Sequence, residues 1–88
     1  MYECRLYTEN KNREELEKFV SEYFDSFTVF MAVGWWKGDK EYSLVFEILV
    51  NHPIDVEKVR ALGDMIRTFN KQQAVLLTVK EVVETIIH

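Results

Sequence analysis

Apolar and polar residues alternate from the start of the chain. Tyr2, Cys4 and Leu6 share one side, and Glu3, Arg5 and Tyr7 share the other. A period of two predicts a strand over residues 2–7. The polar run 8–12 predicts a loop that ends on Asn12, a helix-capping residue type, with Glu15 where a capping box places its acceptor. Leu16, Phe19, Val20, Tyr23 and Phe24 then recur at helical spacing, so a first helix with one apolar face follows. Asp25 and Ser26 break that pattern.

Residues 27–36 are rich in β-branched and aromatic types and predict a second strand. Residues 37–40 read as a compact turn, and residues 41–50 as a third strand, which makes a hairpin. In that third strand Tyr42, Leu44, Phe46, Ile48 and Val50 share one face. Pro53 cannot donate to a ladder and ends it. Asp55 is the expected cap of a second helix, whose buried stripe is Val56, Val59, Leu62, Ile66 and Phe69. Gly63 weakens that helix by ~1 kcal/mol relative to alanine, and close packing on the sheet is the physical reason to keep it. Residues 70–73 close the helix, with Lys71 suited to the negative end of its dipole. Residues 74–80 predict a fourth strand, which residues 81–88 prolong or follow with a short tail strand.

The order β-α-β-β-α-β predicts an α+β fold of the ferredoxin-like kind: a four-stranded antiparallel sheet with both helices on one face. Residues 1–88 form one domain, with the first and third strands central. The face under the helices is expected to carry Cys4 and Leu6; Val29, Met31 and Val33; Leu44, Phe46 and Ile48; and Val75, Leu77 and Val79. The open face then carries Arg5, Tyr7, Phe30, Ala32, Trp36, Val45, Glu47, Leu76, Thr78 and Lys80. Arg5, Glu47 and Lys80 are expected to form a cross-strand ion network, because opposed side chains on neighbouring strands lie ~5 Å apart. Phe30, Trp36, Val45 and Leu76 are many apolar groups for a bare monomer face, and exposed apolar patches mark contacts. Association of copies is therefore expected.

Composition narrows the function. The chain has 88 residues and a formal charge of −4, which argues against general binding to a nucleic-acid backbone. An aromatic share of 14% in so short a chain favours a buried interface. The single cysteine, Cys4, excludes an intrachain disulfide and fits a reducing compartment, so the cytoplasm is the expected location. No leader segment and no apolar run of membrane-spanning length is read. Cys4 lies on the core face with no histidine near it in the pattern, so it reads as a small hydrophobe and not as a nucleophile. His52 and His88 are too far apart to make a metal site with it. No cofactor motif is present. Of Trp35 and Trp36, adjacent in a strand, one is expected in the core and the other on the surface.

The segments Tyr2-Glu3-Cys4-Arg5-Leu6-Tyr7, Tyr23-Phe24-Asp25-Ser26-Phe27-Thr28-Val29, Gly34-Trp35-Trp36-Lys37-Gly38 and Val75-Leu76-Leu77-Thr78-Val79 resemble a family of small proteins from bacteria and tailed phages to which no activity is assigned. That resemblance implies an accessory role against host defences, such as sequestering a nucleotide signal. Two other ferredoxin-like families are departed from. Small CRISPR-associated nucleases place an aspartate at the end of the first strand, where this chain has Tyr7-Thr8-Glu9. RNA-recognition domains expose aromatics on the first and third strands, where only Tyr7 fits here.

Three functions remain open. One is a non-enzymatic homo-oligomer that binds a small anionic ligand at Arg5, Tyr7, Phe30, Trp36, Glu47 and Lys80. Arg5 and Lys80 would hold charge, the aromatics would stack, and Glu47 would orient Arg5 or accept a donor. The second is a protein-binding module or inhibitor of a host enzyme, using the same surface. The third is a cofactor-independent enzyme of the dimeric α+β barrel kind.

Overall fold

The structure, a computed structural model, describes residues 1–87. Its elements run β1 (Tyr2–Glu9), α1 (Arg13–Tyr23), β2 (Thr28–Trp36), β3 (Asp39–Val50), α2 (Pro53–Asn70) and β4 (Leu76–Glu81). The strands form one antiparallel sheet in the order β2-β3-β1-β4. This is the expected α+β ferredoxin-like arrangement, with β1 and β3 in the middle.

Local chemistry explains the element ends, and several differ from expectation. β2 and β3 are joined by two residues, Lys37 (φ 48°) and Gly38 (φ 84°). Positive φ at both positions is the type I′ geometry that matches the twist of a hairpin. Asn12 precedes α1, but it adopts a left-handed conformation and its side chain makes no capping bond. Its amide instead donates to Asn70 Oδ1 at 2.9 Å. The expected cap and its box with Glu15 are therefore not formed. α2 begins at Pro53, two residues before the expected cap Asp55, because proline at the first helical position lacks only a donor that would be unpaired there anyway. Asp55 sits in the first turn and pairs with Lys58 at 3.4 Å. The helix ends on Lys71, left-handed, whose N–H donates to Thr68 O. β4 starts at residue 76, and residues 82–87 form no strand, although the Val82 N–H still donates to Met1 O at 3.0 Å.

The core lies between the sheet and the two helices. Cys4 and Leu6 of β1 and Leu44, Phe46 and Ile48 of β3 pack with Leu16 and Val20 of α1 and Val59, Leu62 and Ile66 of α2. Phe19 and Phe69 join the helices edge to face, with centroids 4.9 Å apart. Gly63 lets α2 lie tight against the sheet: a methyl group there would lie 3.0 Å from Leu6 Cδ2 and 3.7 Å from Val75 Cγ1.

The expected core face is only partly roofed. Val29, Val75 and Leu77 pack against the core, but Met31 is 44% exposed, Val33 54% and Val79 42%. Met31 and Val33 lie on the part of the hairpin that outreaches the helices, and Val79 lies on an edge strand. For the same reason neither tryptophan is in the core: Trp35 is 71% exposed and Trp36 62%. Val45 departs in the other direction. It lies on the open face yet is fully buried, flanked by Tyr7 on one side and Phe30 on the other.

A chain of amides ties the loops at the hairpin-side end of β1. Beyond the Asn12–Asn70 bond, Asn70 Nδ2 donates to Gln72 Oε1 at 2.8 Å, and Gln72 Nε2 donates to Ala74 O at 2.6 Å. The Glu9 N–H also points at Gln72 Oε1, at 3.4 Å. Asn70 and Gln72 are buried, so each bond removed leaves a desolvated group unpaired.

Two stability outcomes follow from this packing. Gly63→Val is expected to lower unfolding free energy by roughly 1–3 kcal/mol through overpacking against Leu6, read from the urea midpoint. Asn70→Ala is expected to cost about 1–3 kcal/mol by removing the buried donor to Gln72 Oε1 and the acceptor for the Asn12 amide, read the same way.

Candidate functional site

The open face is organised in rows across the sheet by strand register. One row runs Phe30, Val45, Tyr7 and Leu76 from β2 to β4. The next runs Thr28, Glu47, Arg5 and Thr78, and a third sets Leu49, Glu3 and Lys80 side by side. Alternation along each strand keeps these side chains on the face away from the helices.

Arg5 is the hub of the lower rows. Its Nη2 lies 3.2 Å and its Nε 3.3 Å from Glu47 Oε1, and Nε lies 3.2 Å from Glu3 Oε1. Lys80 Nζ approaches the same Glu3 oxygen at 3.5 Å. The Arg5 guanidinium also lies 5.7 Å from the centroid of the Phe30 ring. The Tyr7 side chain and then the Glu47 carboxylate push the Arg5 pKa further up, so its charge is fixed. Two cations thus face two carboxylates, and the cluster is close to neutral. Four of the six expected site residues, Arg5, Phe30, Glu47 and Lys80, are brought together here. Lys80 joins through Glu3 and not through Glu47. Glu3 was not among the expected site residues. Only the register, which sets Glu3 opposite Lys80, identifies it.

Tyr7 and Trp36 meet elsewhere. They line a cleft of about 740 Å³ at the hairpin-side end of the open face, with Glu9, Glu41, Gln72 and Leu76. The Lys37 ammonium lies 5.6 Å from the Trp36 ring centroid, within cation–π range. The cleft therefore offers an exposed aromatic ring with two carboxylates on its wall, and Lys37, outside the lining, sits over that ring. Gln72, which also lines this cleft, reads from sequence only as part of a helix-closing run.

Other candidates resolve into ordinary surface. On α2, Arg60 Nε lies 3.2 Å from Glu57 and Arg67 Nη2 lies 2.8 Å from Asp64, so both arginines are paired within the helix. α1 carries an Arg13–Glu17 pair at 3.5 Å. His52 is exposed in its loop, and His88 lies outside the described residues. Among the described residues no cluster of three potential metal ligands occurs, and no helix is long and apolar enough to cross a membrane.

Cys4 is fully buried in the sheet, and burial, with the nearby Glu3 carboxylate, pushes its thiol pKa up. Both effects disfavour the thiolate, which is the reactive form. Cys4 is expected to resist a thiol reagent at pH 8 in the folded protein and to react fully in denaturant. Rapid native labelling would contradict the buried placement.

No family model matches the chain, and no curated protein matches it significantly. Solved structures do. A DUF3240 family protein from Shewanella baltica OS155 superposes with a TM-score of 0.70 at 15% identity, covering 99% of this chain and 94% of its own. The apo form of the PII-like protein CutA from Nostoc sp. PCC 7120 superposes with a TM-score of 0.66 at 14% identity, covering 93% and 81%. At such identities the likeness is one of fold, and the chain shares the ferredoxin-like architecture of both.

Proposed function

We propose that the protein is a non-catalytic, homo-oligomeric binding protein that holds a small planar anion of the nucleotide type in the cleft beneath the β2–β3 hairpin. The observation that carries this reading is the joint presence of Tyr7, Trp36 and Leu76 on a cleft of about 740 Å³ with the Lys37 ammonium 5.6 Å from the Trp36 ring. A ring system stacks on Trp36, and Lys37 answers the negative charge. Glu9 and Glu41 accept hydrogen bonds from amino or hydroxyl groups of the ligand. The Arg5–Glu3–Glu47–Lys80 cluster and Phe30 form the adjoining floor. Because Arg5 already has two carboxylate partners, it orders this floor and Lys80 remains the more available cation. A second copy set against the open face would enclose the cleft and cover Leu76, which is 58% exposed. One structural neighbour is described as an apo form, which favours a binding role for such a scaffold.

A second reading is a docking module for a host protein. Met31, Val33, Trp35 and Tyr42 support it: these exposed side chains share the opposite face of the hairpin, and exposed apolar patches of this kind mark contacts.

A thermal-shift panel of cyclic and linear nucleotides separates the two. A ligand at ~100-fold excess over its dissociation constant adds ~2.7 kcal/mol, which raises the melting point of a domain this size by roughly 11–22 °C. Trp36→Ala is expected to abolish that rise while leaving the ligand-free melting point within a degree or two, since Trp36 is mostly exposed. No shift with any nucleotide, with specific retention of a host protein that Trp35→Ala removes, would replace the first reading by the second.

A further inference from the structure

Two apolar features have no partner among the described residues, and they complement each other. The first is the outer edge of β2. In the sheet order β2-β3-β1-β4 this strand is paired on one side only. Its nine residues, TVFMAVGWW, include no charge and no proline. Natural edge strands are guarded by such residues, and an unguarded apolar edge is a template for another strand. The other edge, β4, is guarded: it is six residues long and carries Lys80 and Glu81.

The second feature is the segment after β4. Val82, Val83, Thr85, Ile86 and Ile87 are all β-branched, the composition that favours a strand. Yet residues 82–87 form none, and Val83 is 99% exposed, Ile86 69% and Ile87 90%.

These features cannot satisfy each other within one copy. A new strand outside β2 would lie four strand spacings from β4, about 19 Å. Val82 is held beside Met1 by its backbone bond, so residues 83–87 start from there. Fully extended, five residues reach about 17 Å, and the crossing would consume them all. Residues 83–87 can therefore reach a β2 edge only in another molecule.

We infer that residues 83–87 of one copy add as a strand to the outer edge of β2 in a second copy. Side-chain alternation sets the facing. Val83, Thr85 and Ile87 share one side of the segment, and Met31, Val33 and Trp35 share the helix side of β2, where Met31, Val33 and Trp35 are exposed. Placing these sets together buries both. It leaves Glu84 on the open-face side with Ile86. Pairing two β2 edges symmetrically would cover β2 but leave the segment exposed. The contact is heterologous, donor to acceptor, so copies join in a closed ring or exchange segments reciprocally.

The inference rests on the homo-oligomeric part of the function proposed above. It is tested by sedimentation velocity on the full chain and two variants at exposed positions, Val33→Arg on the acceptor edge and Ile87→Asp on the donor segment. Far-UV circular dichroism checks that each remains folded. The wild type is expected to sediment as an oligomer and each variant alone as a single chain. An equal mixture is expected to regain a two-chain species, because Val33→Arg keeps an intact donor and Ile87→Asp an intact acceptor. A wild type that stays a single chain at high concentration overturns both this inference and the oligomeric reading. An oligomer that survives Ile87→Asp overturns the inference alone. So does an oligomer lost in both variants without recovery on mixing, or one lost only in Val33→Arg, which marks symmetric β2 pairing.

Discussion

A strand rises more than twice as far per residue as a helix, and that mismatch governs this molecule. The twelve residues of β3 span about 40 Å at ~3.4 Å each, close to the 39 Å long axis of the chain. The eighteen residues of α2 cover only about 27 Å, and the eleven of α1 about 16 Å. Two such helices cannot roof the whole sheet. The end of the hairpin therefore projects beyond its cover, with apolar side chains on both faces. The same projection builds one wall of the cleft that holds Trp36, so the candidate site is a by-product of unequal lengths.

Charge plays a different part. The surface salt bridges on the helices join neighbours three or four residues apart and contribute little. The Arg5 cluster instead bridges three strands. It fixes how β3, β1 and β4 sit relative to one another on a face that lacks a roof, because a slip of one residue would carry Arg5 to the opposite side of the sheet. Phe30 beneath the guanidinium and the buried Val45 make the middle of this face drier than an ordinary solvated sheet.

Much of this was legible in the residue pattern, for a definite reason. The period of two in residues 2–7 and 41–50, and the helical spacing from Leu16 to Phe24, report which side of an element a residue occupies. They assign Arg5, Tyr7 and Glu47 to one face and Leu6, Leu44 and Phe46 to the other. Periodicity does not report whether that side is covered. Met31, Val33 and Trp35 have a core pattern and lie in solvent, and Val45 has a surface pattern and is buried. Register was equally hidden, so the Glu3–Lys80 contact was invisible although both residues were in view. The role of Asn12 was misread because its amide found a better partner 58 residues away than the helix start beside it. No local rule anticipates Asn70 or Gln72 as that partner's network.

The linked amides have one further consequence. Gln72 belongs to the wall of the cleft and also reaches toward the backbone of Glu9 on β1, so that side is tethered to the ends of two loops and a helix. The opposite wall is a hairpin held mainly by its own ladder. Any guest taken up by the cleft would meet one wall pinned by amide bonds and another held by strand pairing alone. Less ordering entropy is lost when half of a binding surface is preorganised, and guests would be discriminated chiefly by how far the hairpin must bend to meet them.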